Sequence, residues 1–364
     1  MTRIAILTPT LTSADAVSND VLGMRRLLAE RGHAVCIFAD STNLPDEQIE
    51  PPVALSTYLR RDEDVLIYHH SIGWDRGIQI MKSASCRKIV KYHNVTPAEF
   101  FEGISEHHKH LCENGRSQLK EIVASGLDLY LAASAFNESD LISSGSVRHK
   151  TVVVPPFNQA DQLRAAEADF ELLDSHDDGV TLLTVGGVRP NKGHEALIEA
   201  FATYCYYFNA QARMFIVGTQ DDAFAGYASR LRQLIEGWSM ESRIVFTGEV
   251  STSLLKSYYL IADALLITSK HEGFCVPLVE AMALKVPIIA YAATAIRETA
   301  NDAALIWEER DPFLLAQSID FLKTNEDARV ELVDRGSRRY EQNFSNAAIE
   351  KQFLDVTAQA GFRF

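Results

Sequence analysis

Val180-Thr181-Leu182-Leu183-Thr184-Val185-Gly186-Gly187-Val188-Arg189-Pro190-Asn191-Lys192-Gly193 reads as an apolar strand, a glycine turn and the mouth of a helix. The run Val180–Val185 has the length and β-branched content of a buried strand. Two glycines let the backbone approach a ligand closely. A helix opening near His194 would present unpaired N–H groups and a partial positive charge to this loop. Arg189 and Lys192 add fixed cations. Two readings stay open on these residues alone: a diphosphate site, or a plain strand-to-helix turn with solvated basic side chains. The loop has neither the GKS/T ending of a P-loop nor a GxGxxG spacing.

The same strand-then-helix alternation extends in both directions. Downstream, Arg213–Val217, Arg243–Phe246, Ala264–Thr268, Pro287–Ala290 and Ala304–Ile306 are strand candidates, with helices such as Glu195–Ala202 and Pro277–Ala283 between them. Upstream, Arg3–Leu7, Ala34–Phe38, Val65–Tyr68, Lys88–Tyr92, Leu129–Ala132 and Thr151–Val154 alternate with helix-like segments such as Ser18–Arg31 and Gln118–Ser125. This is the pattern of parallel sheets wrapped by helices. It stops at Pro155-Pro156, because proline neither donates to a ladder nor tolerates helix before it. A polar, acidic stretch to about Gly179 follows and is assigned as the linker. The expected fold is α/β: two Rossmann-like domains facing a central cleft, 1–156 and 157–344. A terminal helix within 345–364, capped by Ser345, is expected to pack back on the first domain. Ligands of such sheets sit beyond the carboxyl ends of the strands.

A second loop follows the strand Ala264–Thr268: Lys270-His271-Glu272-Gly273-Phe274-Cys275-Val276-Pro277-Leu278-Val279-Glu280-Ala281-Met282. Gly273 permits a tight turn, and Pro277 suits the first turn of a helix. Glu272 and the amides of Gly273–Val276 would lie at the helix start, with Glu280 one turn in. A carboxylate that accepts two vicinal hydroxyls is a natural ribose clamp. The alternative makes Glu280 a surface residue and Glu272 a favourable charge near the helix dipole.

Glu272-Gly273-Phe274, Pro277-Leu278 and Glu280-Ala281-Met282 together resemble the EGF-x-x-PLxEAM form of the E-x7-E motif of the retaining family-4 glycosyltransferases. Ala262-Asp263, Pro287-Ile288-Ile289-Ala290, Glu298, the Lys192-Gly193 loop and Phe246-Thr247-Gly248 fit the same family in the same order. The resemblance covers most of residues 180–310 strongly and the first half more weakly. It implies a GT-B fold and a sugar transfer from a nucleotide-sugar donor to a glycan or lipid-linked glycan acceptor, with bacterial surface polysaccharide or glycolipid assembly as the commonest setting. By position it implies that Glu280 binds ribose, that Glu272 with the amides of Gly273, Phe274, Cys275 and Val276 holds the donor sugar, and that Lys192 binds the diphosphate. The family often carries arginine where this chain has Gly187, so Arg189 is the substitute cation. Tyr92-His93-Asn94 resembles the segment whose histidine reaches the donor sugar, which makes His93 a candidate catalytic residue beside Lys192, Arg189 and Glu272. The loop Thr12–Asn19 carries Ala16 where the family often has glycines, and Ser18 reads as a helix cap.

The remaining features mostly exclude. No stretch approaches the ~18 uncharged apolar residues of a membrane span. Five scattered cysteines form no CxxC pair, so neither a disulfide framework nor a zinc site is expected. His69-His70 and His107-His108 with His110 lack a carboxylate or cysteine at recognisable spacing and read as solvated loops. No DxD triplet stands after a strand, since Asp62-Glu63-Asp64 precedes one, so no metal and no cofactor are expected. A net charge of −14 argues against nucleic acid as partner. Residues 1–156 carry only −3 of it, which makes the first domain the one that an anionic membrane surface would repel least. A cytoplasmic protein, peripheral at the inner face of the membrane, is the expectation. A sugar-nucleotide hydrolase or epimerase on the same fold, or a non-catalytic nucleotide-sugar-binding protein, is the competing reading.

Overall fold

Two six-stranded sheets, each wholly parallel, organise the chain. The computed structural model describes residues 2–175 and 179–364; Met1, and residues 176–178 of the acidic stretch, lie outside the described residues. The chain divides into two compact units: Met1–Glu99, Glu106–Asn158 and Asn346–Phe364 form the first, and Phe100–Ser105 with Gln159–Ser345 form the second.

In unit 1 the sheet strands are β1 (Arg3–Leu7), β2 (Ala34–Phe38), β3 (Val65–His70), β4 (Arg87–Tyr92), β5 (Leu129–Ala132) and β6 (Thr151–Val153), in the spatial order β2-β1-β3-β4-β5-β6. Parallel strands covered on both faces read as near-continuous apolar runs, and β3 accordingly is buried along its whole length. Helix α1 (Ala16–Glu30) lies on this sheet. Its N-cap is Asp15, whose carboxylate accepts from the Ser18 amide at 2.9 Å. The expected cap, Ser18, sits inside the first turn; its hydroxyl instead accepts from the Thr12 amide and donates to Asp15. Gly23 lets α1 come close to the chain after β6, for a Cβ there would lie 2.3 Å from Phe157. A long helix, α2 (Glu106–Ala124), carries His107, His108 and His110, which had read as loop residues.

In unit 2 the strands are β7 (Thr181–Val185), β8 (Arg213–Val217), β9 (Ile244–Gly248), β10 (Ala264–Ile267), β11 (Ile288–Tyr291) and β12 (Leu305–Trp307), in the order β9-β8-β7-β10-β11-β12. That is the doubly wound order, with its reversal between β7 and β10. Helices α3 (His194–Tyr207), α4 (Thr252–Ile261) and α5 (Val276–Ala283) belong to this unit. The acidic stretch is not featureless: short helices form at Ala160–Ala165 and Phe170–Ser175.

The last helix, α6 (Asn346–Gln359), belongs to unit 1, where Ile349, Phe353 and Phe362 are buried in the core with Ile4, Val21 and Leu28. Arg87 holds the tail down. Its guanidinium lies 3.7 Å from the centroid of the Phe362 ring and donates to the carbonyls of Ala360 and Gly361. Among the described residues no helix is long and apolar enough to cross a membrane.

Candidate active site

The two loops singled out by sequence leave the two strands that flank the reversal in unit 2, β7 and β10. Gly186 has φ +141° and Gly193 has φ +69°. A Cβ on Gly193 would meet the Thr268 carbonyl oxygen at 2.3 Å, so only glycine allows the two loops to touch there. The loops are then stapled by hydrogen bonds. Lys270 N–H donates to the Asn191 carbonyl at 2.8 Å, the Asn191 side chain donates to the His271 carbonyl at 3.2 Å, and the Thr268 hydroxyl donates to the Gly193 carbonyl at 2.9 Å. Thr294 clamps the turn from the far side, accepting from the Glu272 amide at 2.8 Å and donating to the Glu272 carbonyl at 2.7 Å.

Lys192 and Glu272, far apart in sequence, meet across this junction. The ammonium lies 2.7 Å from Glu272 Oε1, which also accepts from the Ser269 hydroxyl at 2.6 Å. Burial works to lower the Lys192 pKa, but the Glu272 carboxylate and Cys275 together more than reverse it, and the ammonium is held above its ordinary value. Arg189 is near enough for its charge to oppose that rise, and its guanidinium sits 5.9 Å from the Phe224 ring centroid. Cys275 occupies a left-handed position, φ +76°, at the N-cap of α5. Its thiol is pushed well up by burial and further by Glu272 and Glu280, with Lys192 opposing, which places all three charged groups around it. Among the described residues nothing accepts from the amides of Gly273, Phe274 and Cys275. Val276 opens the helix, so its amide has no intrahelical partner either. Glu280 is half-buried. Burial raises its carboxyl, while the Tyr259 hydroxyl, donating at 2.7 Å from α4, partly restores the charged form.

Unit 2 therefore gathers Lys192, Arg189, Glu272, Glu280 and the loop amides, with Gly187 packed beside Thr219. Sequence reasoning passed over Thr294, Asn191, Ser269 and Tyr259. Tyr259 and Thr294 reach the site from other elements, while Asn191 and Ser269 lie in or beside the two loops but carry no spacing that marks them. His93 lies in unit 1, just after β4. There the expectation of solvated histidines is corrected: His69 and His70 end the strand β3 and are fully buried. His69 Nδ1 and His93 Nε2 share a hydrogen bond of 2.9 Å. Asp20 of α1 and Lys91 of β4, both fully buried, complete the group.

Comparisons with known proteins agree with this architecture. Sucrose-phosphate synthase from Thermosynechococcus elongatus superposes with a TM-score of 0.79 at 19% identity, covering 99% of each chain. The Anabaena HepE protein, solved in complex with UDP and glucose, gives 0.75 at 16% identity over 99% of this chain and 100% of its own. The fold is thus the GT-B fold of two parallel α/β units. A D-inositol 3-phosphate glycosyltransferase from Geodermatophilus obscurus is 29% identical over 234 residues, 62% of this chain and 51% of its own. The chain spans about half the length, or less, of the curated relatives that it matches. The stretch that carries both loops, residues 166–339, matches the family described as Glycosyl transferases group 1.

Proposed function

We propose that the protein is a retaining, metal-independent glycosyltransferase that moves a sugar from a nucleoside-diphosphate donor to an acceptor hydroxyl on a glycan or lipid-linked glycan. The observation that carries the reading is the junction at the reversal of the second sheet: two cations, a carboxylate and a row of unpartnered amides at a helix start. Unpartnered amides at a helix N-terminus bind phosphate and hydroxyl oxygens. Lys192 and Arg189 offset the charge that develops on the leaving diphosphate, which is the task a metal would otherwise perform. Glu280, fixed by Tyr259, accepts the ribose hydroxyls, and Glu272 with the amides of Gly273–Val276 accepts and orients the sugar. In attack from the face that the leaving phosphate vacates, the acceptor oxygen bonds the sugar as the sugar–phosphate bond breaks, and the hydroxyl proton passes to the leaving phosphate, so no protein base is assigned. Glu272 and Glu280 are not a glycosidase pair, since their partners are hydroxyls and not the scissile bond.

In this reading the resting ion pair between Lys192 and Glu272 opens on donor binding. Each side chain exchanges its partner for the part of the donor it holds: Lys192 for the diphosphate, Glu272 for the sugar. The setting is assembly of a surface glycan or glycolipid, with the less acidic unit 1 nearer the membrane surface. The test is release of nucleoside diphosphate from a panel of nucleotide-sugars, with and without acceptor glycans, in EDTA. Acceptor-dependent release that survives chelation supports the proposal. Release independent of acceptor identifies a hydrolase. No release, with binding retained, identifies a non-catalytic binder. Loss restored only by manganese or magnesium overturns metal independence.

A further inference from the structure

Unit 1 buries a charged group that the donor site does not use. Lys91 is the register partner of His69 across β4 and β3, so their side chains share one face of the sheet. His93, two residues beyond Lys91, continues that face. Asp20 covers it from α1, anchored by the Phe157 amide, which donates to Oδ1 at 2.8 Å. Asp20 Oδ2 lies 3.4 Å from His93 Nε2, 3.8 Å from His69 Nδ1 and 3.8 Å from Lys91 Nζ, yet completes a hydrogen bond with none of them. Lys91 donates to the carbonyls of Val154 and Pro155. The His69 and His93 rings stack with centroids 5.2 Å apart. The Asp20, His69 and Lys91 side chains have no exposure, whereas His93 keeps 7%. His93 alone reaches the surface, and among the described residues none bonds its Nδ1.

Asp20, His69 and His93 have the donor set of a metal site, and their ligand atoms are spaced close to the roughly 3.3 Å edge that tetrahedral zinc imposes. Lys91 argues otherwise. Its ammonium already faces the same carboxylate oxygen, and a divalent cation would sit against it without screening. The charge of Asp20 is matched by Lys91, and what remains is its action on His93. A carboxylate 3.4 Å from Nε2 favours the tautomer with hydrogen on that nitrogen, because a ring lone pair turned on a buried carboxylate is repelled. His69 then receives this hydrogen on Nδ1 and keeps its own on Nε2, an atom without a partner. Burial holds both rings neutral: His69 is pushed down to about 3, and His93 well below its ordinary value.

We propose that Asp20, Lys91 and His69 are positioning residues that fix His93 as the Nε2–H tautomer, turning its Nδ1 lone pair outward to accept a hydrogen bond from a substrate hydroxyl. That the hydroxyl belongs to a sugar rests on the transferase reading; the clamp itself does not. Burial raises Asp20 to about 6, against the pull of Lys91 and the Phe157 amide. Of the groups that face it, burial holds His69 and His93 neutral and also lowers Lys91, with Asp20 opposing; an acid limb near pH 6 is the expected mark of Asp20 taking up a proton.

The experiment uses the full chain with histidine rings labelled in nitrogen-15, as wild type and as the double variant Asp20→Asn/Lys91→Met, which removes both buried charges together. In the wild type, His93 should stay neutral from pH 8 to 5.5, Nε2-protonated above pH 6 and losing that preference as Asp20 takes up its proton. In the double variant it should show mixed tautomers, kcat should fall about 10²-fold through lost orientation, and the acid limb near pH 6 should vanish. The donor KM should change less than twofold, since the proposed donor contacts lie in unit 2. A wild-type His93 that is Nδ1-protonated, or that titrates near 6.5, overturns the clamp whether or not the variant folds. So does a folded double variant with unchanged kcat and pH profile, or stoichiometric zinc in the purified protein that Asp20→Asn removes. Absence of transfer to any acceptor sinks the transferase reading alone, because the ring spectra still judge the clamp.

Discussion

Both units place their polar equipment at the point where the strand order reverses, but they equip it in opposite ways. Unit 2 has glycines, cations, carboxylates and unpartnered amides on two loops that follow β7 and β10. Unit 1 has no glycine in the loop after β1 between Thr8 and Asp15. It presents side chains instead, three of them buried, that leave a single imidazole at the surface. A glycine loop with unpartnered amides suits an anion that must be wrapped by backbone. A buried cluster suits one ring that must be held at one angle. The common topology thus supplies position, and the loops decide what is held there.

The largest expected effect tests the anion side. Lys192→Ala should lower kcat on the order of 10²-fold, the usual cost of one lost electrostatic contact to a developing anion. It should leave the melting temperature within a few degrees, because Lys192 is only partly buried and fills no core space. A near-wild-type rate, or a variant that merely unfolds, would remove Lys192 from the chemistry.

The second comparison is in acid. His69 is pushed down to about 3 and His70 to about 4 by burial, and His93 is well down, all in unit 1. Unit 2 has His194 at about 4, lowered by burial and then by Lys192. The unfolded chain protonates these rings near 6.5, so their contribution to stability is full above that pH and is lost as pH falls toward 4 and 3. Asp20 has the opposite sign. Raised to about 6, its contribution is full below about 3.8 and is lost as pH rises through 6. With three buried histidines against one, partly offset by Asp20, unit 1 should lose more stability than unit 2 between pH 7 and 5. Hydrogen exchange resolved by unit checks this, and equal loss in both would contradict the burial of the histidines.

A smaller effect separates the touching loops from the rest of unit 2. Gly193→Ala combines a left-handed φ with a clash against the Thr268 carbonyl and should cost about 2 kcal/mol, roughly 4–8 °C in Tm. Gly226→Ala, on the helix Ala225–Gly237 with open space around it, should be neutral or mildly stabilising. Equal behaviour of the two variants would mean that the loop junction is slack.

The same contrast explains what the sequence could show. The apolar runs of both sheets were legible because buried parallel strands are continuous in hydrophobicity. The unit 2 loops were legible because Gly186–Gly193 and Glu272–Glu280 each carry their chemistry on one contiguous stretch. Tyr259 and Thr294 were not, since each reaches the site from another element. In unit 1 only His93 was singled out. Asp20, His69 and Lys91 come from a helix and two strands, and nothing in their spacing joins them. A histidine pair at a strand end looks the same in sequence whether the register carries it into the core or past the last ladder bond. For the same reason Lys192 read as a free cation, because its partner lies eighty residues away.

The most direct test of the central claim, that unit 2 divides a nucleotide-sugar between two carboxylates, is calorimetry of nucleoside diphosphate on Glu280→Ala and Glu272→Ala, paired with a transfer assay. Glu280→Ala should weaken diphosphate binding about tenfold or more, the worth of a charged hydrogen bond to ribose. Glu272→Ala should leave diphosphate affinity unchanged or tighter, since it releases Lys192 from the 2.7 Å pair, while transfer falls because the sugar loses its partner. Equal loss of diphosphate affinity in both variants, or no loss in either, would contradict the account.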